Sequence, residues 1–296
     1  MPELTRSIKI VWLHAVGCTG CSISTFNSTY PHAPQILLEE ILPGIRVEIL
    51  FHSTLMKAHG SRALKPVREA AAGRFPFLLV VEGAIPVGPQ SYLGGIGGGK
   101  DLPSLVEDLA RHCTATVALG TCAAYGGLAA ARPNPGQCRG VWDFLESRGL
   151  EAAVINLPGC PPHPDWVIGT LAAVAAGRFD VTRDLDDELR PVMYYGTLVH
   201  QWCPRRASFD EGKFAKKLGD PGCLYELGCK GSITYGDCPQ RHWNNRVSWC
   251  IGVGAPCSGC TQPEFPDWLG GFQEKITDVQ LPTIGEYWQQ RRERGR

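Results

Sequence analysis

The feature that most constrains this chain is the distribution of its 13 cysteines. After residue 199 the chain carries seven cysteines, which together with His200 read as His200-x2-Cys203, Cys223-x5-Cys229, Cys238, Cys250 and Cys257-x2-Cys260. Four further cysteines lie earlier, as Cys18-x2-Cys21, Cys122 and Cys160. Together these make three sets of four soft ligands, and thiolate ligands select iron–sulfur clusters or zinc. The pattern predicts a chain that binds three clusters in series and so provides a path for electrons.

Composition narrows the class of protein. The chain has 296 residues, of which 44% are hydrophobic and 20% charged, so we expect a folded protein with room for two domains. The formal net charge is zero, which argues against a nucleic-acid partner. We find no apolar run of membrane-spanning length and no signal-peptide core, and we therefore expect a cytoplasmic location with reduced thiols.

The first 180 residues alternate apolar β-like runs with helical stretches. The predicted strands are Ile8–His14, Arg46–His52, Phe77–Val81, Thr114–Leu119 and Ala152–Leu157. The predicted helices between them span about 33–42, 58–73, 102–112, 139–148 and 165–177. This alternation predicts an α/β fold with a doubly wound parallel sheet, whose strands are continuously apolar because both faces are covered.

Four of the cysteines follow predicted strands. Cys18 and Cys21 follow the first strand, Cys122 the fourth and Cys160 the fifth, while Glu82 follows the third. Because the functional crevice of an open α/β sheet lies beyond the carboxyl ends of its strands, we expect the four thiols to meet there. Two interpretations of Glu82 stay open. It could cap a turn as a structural residue, or it could transfer protons or face a partner.

The pattern changes near residue 184. We place the boundary there and predict a first domain over 1–183 and a smaller irregular domain over 184–296, which is rich in Gly, Pro, Cys and Trp. Metal clusters can serve as the core of such a region. We expect Trp243, Trp249 and Trp268 to shield its clusters from water.

Several features also have more ordinary structural interpretations. The two tail sets could hold zinc in place of iron–sulfur clusters. The stretch 94–100 matches a phosphate-binding loop in spacing, but Asp101 stands where Ser or Thr should bind magnesium, and we read it as a flexible loop. Cys113 and Cys138 are expected to be structural, and His163 a packed loop histidine.

Short motifs spread over nearly the whole chain resemble one family. They are CTGCS (18–22), EGAIP (82–86), GTCAAYGG (120–127), LPGCPPHP (157–164), HQWCPRR (200–206), CLYELGCKG (223–231) and CIGVGAPCSGC (250–260). These motifs resemble the small subunit of nickel–iron hydrogenases. The resemblance implies a flavodoxin-like first domain and a large partner subunit whose nickel–iron site performs H2 ⇌ 2H⁺ + 2e⁻. This chain would carry the electrons and contribute no catalytic residue.

The resemblance also divides the ligands among three clusters. The proximal ligands would be Cys18, Cys21, Cys122 and Cys160; the distal ligands His200, Cys203, Cys223 and Cys229; and the medial ligands Cys238, Cys257 and Cys260. Many relatives carry proline where Cys250 stands and bind a 3Fe–4S medial cluster. We predict that Cys250 is the fourth medial ligand and that all three clusters are 4Fe–4S.

Other departures from the family limit what it implies. Gly20 and Gly127 stand where the oxygen-tolerant membrane type has two more cysteines, so an ordinary four-cysteine proximal cluster is expected. We find neither the export signal nor the membrane anchor of membrane-bound relatives, which leaves the electron acceptor open. We expect a heterodimer or an assembly of heterodimers. The alternatives are a cluster-bearing member of a complex I-type quinone reductase, which lacks the tail ligands, and a zinc-stabilised binding protein.

Overall fold

The computed structural model describes residues 6–89, 91, 95, 99–266 and 274. Its centre is a six-stranded sheet with the strand order β2-β3-β1-β4-β6-β8. The strands are β1 (Arg6–His14), β2 (Glu40–Leu42), β3 (Ile45–His52), β4 (Leu78–Glu82), β6 (Ala115–Leu119) and β8 (Val154–Leu157). A separate antiparallel pair joins β5 (Ile85–Pro86) to β7 (Cys138–Arg139).

The five predicted strands are all present, and they pair in parallel. Taken in chain order, these five lie in the order 2-1-3-4-5, which is the flavodoxin-like arrangement. Strands β4, β6 and β8 are buried along their whole length, as a sheet covered on both faces requires. The predicted doubly wound α/β fold is confirmed.

The second strand corrects one prediction. A helix was predicted over 33–42, but it ends at Leu38, and Glu40–Leu42 pairs antiparallel with β3. Local turn chemistry explains the difference, because Gly44 has a φ of +75° and donates its N–H to the Glu40 carboxylate at 2.8 Å. The apolar residues of this stretch serve a hairpin, although their spacing suits a helix.

Helices cover both faces of the sheet. They are α1 (Gly20–Phe26), α2 (Ala33–Leu38), α3 (Gly60–Ala71), α4 (Leu102–Ala110), α5 (Thr121–Tyr125), α6 (Val141–Ser147) and α7 (Pro164–Ala175). One face packs Val67 of α3, Leu105 of α4 and Phe144 of α6 into a core. The other face packs Phe26 of α1 and Trp166 of α7 into a second core. Burial of this apolar area is the main stabilising term for the domain.

The remainder of the described chain has little regular structure. It contains the short helices α8 (Val192–Tyr195), α9 (Arg206–Asp210) and α10 (Cys238–Arg241), with 3₁₀ turns at Val199–Trp202 and Leu224–Leu227. Its small core includes Leu224, Trp249 and Ile251, packed with cysteines. Tyr195 lies after the predicted domain boundary but belongs to the second core of the sheet. The boundary near residue 184 stays a prediction.

Within the described part of the chain, no helix combines the length and apolar character needed to cross a membrane.

Candidate functional site

The turn that carries Cys18 and Cys21 is held by Glu82. The carboxylate lies at the end of β4 and is 3% exposed, and its Oε1 accepts the backbone N–H groups of Cys21 and Ser22, each at 3.0 Å. Its Oε2 accepts the indole N–H of Trp12 at 3.1 Å and the hydroxyl of Ser22. Burial acts to raise the pKa of Glu82, but hydrogen bonds from His14 and Ser22 outweigh it and hold the pKa below its usual value. Glu82 is therefore a structural cap for this turn.

Two histidines, the buried His52 and the half-buried His14, extend the Glu82 contacts. His14 Nε2 lies 3.3 Å from Glu82 Oε2, and the Ser22 hydroxyl lies 3.1 Å from His14 Nε2 and 3.2 Å from His52 Nε2. The Ser53 hydroxyl lies 2.9 Å from His14 Nδ1. Burial and the charge of His14 lower the pKa of His52, and the charge of Glu82 offsets only part of this effect. The resulting pKa of His52 is about 4. Sequence reasoning missed this network, although His14 and Glu82 end neighbouring strands.

Glycines let the backbone approach the first set of thiols. Gly120, between β6 and α5, has a φ of +85°, and a Cβ there would lie 2.4 Å from Cys21 Sγ. A Cβ on Gly20 would lie 3.2 Å from Cys18 Sγ. Gly127 has a φ of +47°, and its Cβ would lie 2.9 Å from the Cys122 nitrogen. The loops are thus shaped around the thiols.

The four proximal thiols affect one another electrostatically. Burial raises the pKa of Cys21 far above its usual value, and charges on Glu82, Cys122, Cys18 and Cys160 raise it further. Burial also raises the pKa of Cys160 to about 12, with Cys260, Cys122 and Cys18 adding to the shift. Four thiolates this close need a compensating cation, because each disfavours ionisation of the next. The donor set fits a polynuclear iron–sulfur centre.

A second set lies in the irregular region. Cys238 begins α10, and its pKa is raised by burial and by the charges of Cys260, Cys257 and Cys250. Burial raises the pKa of Cys260 to about 11, and Cys250 adds to that rise. Cys250 is exposed but acts on both Cys238 and Cys260. The groups that raise the pKa of Cys238 thus include the other three residues of the predicted medial set, whose role as ligands stays a prediction.

Three cysteines of the third set also come together. Cys203 follows the turn Val199–Trp202, while Cys223 and Cys229 flank the turn Leu224–Leu227. The pKa of Cys229 is raised by burial and then by the charges of Cys223 and Cys203. The fourth member, His200, sits on the same turn as Cys203, and its ring packs edge-on against Phe209 at 4.6 Å. Burial and the charge of Arg206 lower the pKa of His200. Its role as a ligand stays a prediction.

Hydrogen bonds connect neighbouring sets. The Cys257 N–H donates to Cys229 Sγ at 3.3 Å, and the Lys230 N–H donates to the Cys257 carbonyl at 2.7 Å. The side chain of Lys230 is fully buried and donates from Nζ to the Glu274 carbonyl. Sequence reasoning missed Lys230, although its position directly after a ligand was a signal.

The remaining candidates have structural roles. Cys113 Sγ lies 3.4 Å from the Thr116 hydroxyl, and Cys138 is buried. His163 caps α7 through the Asp165 N–H and contacts the His242 carbonyl at 2.7 Å. Most of the 94–100 loop and Trp268 lie outside the described residues.

The arrangement does not resemble a site for one metal ion. No three His, Cys, Asp or Glu side chains among the described residues converge closely enough to hold a single ion. A zinc ion needs its four donors at about 2.0–2.3 Å, whereas a cluster spreads its ligands over several irons. The identity of the metal and the number and type of clusters stay predictions.

Two family models match the chain. The model for the C-terminal part of the NiFe/NiFeSe hydrogenase small subunit matches residues 195–273, and the model for the 20 kDa subunit of NADH ubiquinone oxidoreductase matches residues 18–174. The first domain is thus of a type that hydrogenases and quinone reductases share, while the tail matches the hydrogenase model.

Relatives that match most of the chain are hydrogenase small subunits, in agreement with the family model that matches the tail. The chain is 40% identical to the periplasmic NiFeSe hydrogenase small subunit of Desulfomicrobium baculatum, over 92% of this chain and 89% of the relative. It is 36% identical to the periplasmic NiFe hydrogenase small subunit 1 of Nitratidesulfovibrio vulgaris, over 92% and 86%. The reduced, active NiFeSe hydrogenase structure from D. baculatum superposes with a TM-score of 0.83, covering 91% of this chain and 100% of that one at 38% identity.

A further structure, the actinobacterial-type NiFe-hydrogenase from Ralstonia eutropha, superposes with a TM-score of 0.84 over 99% of this chain and 90% of that one, at 30% identity. The match therefore extends over both the sheet and the cysteine-rich tail. Fold, motifs and relatives agree that the chain belongs to the family of nickel–iron hydrogenase small subunits.

Proposed function

We propose that this chain relays electrons through three iron–sulfur clusters, between the H2-activating site of a large subunit and an external acceptor. The observation that carries the proposal is the contact between successive ligand sets. The hydroxyl of Thr121, which adjoins the proximal Cys122, donates to the carbonyl of the medial Cys260, and the medial Cys257 N–H donates to the distal Cys229 sulfur at 3.3 Å. Three sets in contact one after another make a continuous path for electrons.

The clusters supply one-electron redox chemistry, and the protein holds and tunes them. Cys18, Cys21, Cys122 and Cys160 would hold the proximal cluster, and His200, Cys203, Cys223 and Cys229 the distal one. Cys238, Cys250, Cys257 and Cys260 would hold the medial cluster. All three are proposed to be 4Fe–4S, and the glycines at 20 and 127 favour a proximal cluster with four cysteines.

The partner would cover the carboxyl edge of the sheet. Cys18 and Cys160 are exposed there, and the neighbouring Ile23 is an aliphatic side chain with 68% of its surface exposed. Exposed apolar surface beside a charged redox site suits a permanent subunit interface. The proposed partner is the large subunit with the nickel–iron site, in a heterodimer or an assembly of heterodimers.

His200→Ala tests the direction of the relay. Because the distal set lies at the far end of the path, the variant should slow H2-driven dye reduction far more than H/D exchange, which needs no electron exit. Phe209→Leu, which keeps the ligands but changes the ring that packs on His200, is the matched control. Equal losses in dye reduction and exchange would contradict the distal assignment of His200.

Composition of the purified complex tests the partner. Co-purification of an untagged large subunit, with nickel and iron in the same fraction, is the expected result. A colourless chain containing zinc would contradict the proposal. The cytoplasmic location stays a prediction, and since two relatives are periplasmic by name, cell fractionation is the measurement that decides it.

A further inference from the structure

One buried hydroxyl connects two of the ligand sets. Thr121 is the first residue of α5 and 1% exposed, and it immediately precedes Cys122. Its Oγ1 donates to the Cys260 carbonyl and accepts the Gly159 N–H at 2.8 Å. The Thr121 N–H in turn donates to the Gly159 carbonyl at 3.1 Å. Both hydrogen-bonding roles of the hydroxyl are thus filled by backbone groups.

Each partner of this hydroxyl is a ligand or adjoins one. Gly159 precedes Cys160, so the Thr121–Gly159 pair joins the two loops that carry the third and fourth proximal ligands. Cys260 belongs to the medial set, 139 residues further along the chain. Thr121 therefore sits at the junction of the proximal and medial sets.

The next junction combines backbone hydrogen bonds with a second hydroxyl. The medial and distal sets are joined by the Cys257 N–H to Cys229 Sγ and by the Lys230 N–H to the Cys257 carbonyl. Both of those bonds are donated by backbone groups. Thr234 adds a hydroxyl there, whose Oγ1 donates to the Lys230 carbonyl at 2.6 Å and lies 3.8 Å from Cys257 Sγ. At the proximal–medial junction, substitution of Thr121 removes the hydroxyl contact without touching a ligand.

We propose that Thr121 is a positioning residue that fixes the distance and the hydrogen-bonded path between the proximal and medial clusters; this inference rests on the proposed function. Without the hydroxyl, the buried Gly159 N–H and Cys260 carbonyl lose their partner, which is costly in a dry interior. Rotation of either peptide to find a new partner moves Cys160 or Cys260. The negative end of the Cys260 carbonyl, no longer offset by the hydroxyl proton, also disfavours electrons on the medial cluster.

The test compares Thr121→Val, which keeps the shape and removes the hydroxyl, with Thr121→Ser, which keeps the hydroxyl. Thr116→Val is the matched control, because Thr116 is equally buried in β6 but its hydroxyl contacts Cys113. The intact heterodimer is titrated under H2 and followed by electron paramagnetic resonance. We expect Thr121→Val to shift the electron equilibrium about tenfold from the medial to the proximal cluster, the size of one net hydrogen bond. The splitting from spin coupling between the two reduced clusters should weaken.

Thr121→Ser and Thr116→Val should match the wild type in both measurements. If Thr121→Val does not assemble, Thr121→Ala against Thr121→Ser gives the same comparison of hydroxyl with no hydroxyl. Unchanged coupling and equilibrium in a hydroxyl-free variant with full cluster content would overturn this inference and leave the proposed function intact. Absence of proximal and medial cluster signals in the wild type would overturn both.

Discussion

At the scale of single residues, glycine backbones decide whether the proximal thiols can meet. Gly120 adopts a φ of +85°, and the space where its Cβ would stand is occupied by the sulfur of Cys21. The requirement is twofold, a left-handed backbone and an empty position beside a ligand. A motif reading of GTC finds the cysteine and overlooks the glycine two residues before it.

Gly120→Ala should abolish the proximal cluster and leave the other two. The methyl group would lie 2.4 Å from Cys21 Sγ, so the ligand or the loop must move. Gly177→Ala is the control, because Gly177 has a φ of +66° with no atom within 4 Å of the added carbon. That control should lower the free energy of unfolding only by the backbone strain, about 1–2 kcal/mol. Iron content and cluster spectra measure the outcome, and a normal proximal spectrum in Gly120→Ala would contradict the site geometry.

Cys250→Pro should convert the medial cluster from 4Fe–4S to 3Fe–4S and raise its potential. A fourth thiolate adds negative charge and an iron, and potential follows cluster type and net charge. Cys113→Ala, which removes a half-buried thiol outside the three sets, should leave every cluster unchanged. Electron paramagnetic resonance of the air-oxidised protein measures this. A strong 3Fe–4S signal already present in the wild type would mean that Cys250 is no ligand.

At the scale of secondary-structure elements, the strands could be predicted and their pairing could not. The continuously apolar strands β4, β6 and β8 carry a local signal, because burial on both faces leaves no polar position. The hairpin strand β2 was missed, since its turn depends on Gly44. The register that sets His14 beside Glu82 is a long-range property, and no periodicity along one strand specifies it.

Titratable groups at the ends of β3 and β4 make the free energy of unfolding depend on pH. The folded pKa of His52 is about 4 against about 6.5 when unfolded, so the unfolded chain binds more protons between these values. The contribution of His52 to the free energy of unfolding is therefore fully present above about pH 6.5. It declines as the pH falls towards 4, by roughly 3 kcal/mol in total. Glu82, whose pKa is lowered, loses its contribution only below about pH 4.5, outside most of this window.

His52→Gln should flatten that dependence. The thermal midpoint of the intact protein, measured from pH 5 to 7, should fall by a few degrees at the acid end in the wild type and less in the variant. His59→Gln, at an exposed histidine, should keep the wild-type slope. An equal slope in wild type and His52→Gln would show that the buried histidine does not titrate as the structure implies.

At the scale of the whole molecule, the candidate ligands could be predicted from the sequence and the contacts between their sets could not. Cysteine spacing, strand ends and family motifs pointed to candidate ligands whose thiols act on one another in the folded chain, and their role as ligands stays a prediction. The contacts between groups, from Thr121 to Cys260 and from Cys257 to Cys229, join segments far apart in the chain. They arise from packing of the tail against the sheet edge, which no local pattern encodes.

The central claim is that electrons pass through three clusters in this chain. A redox titration of the intact heterodimer by electron paramagnetic resonance, combined with iron analysis, tests it most directly. We predict about twelve iron atoms per small subunit and three cubane clusters that all reduce under H2. Fewer clusters, or a cluster that H2 cannot reduce while the nickel site remains active, would contradict the claim.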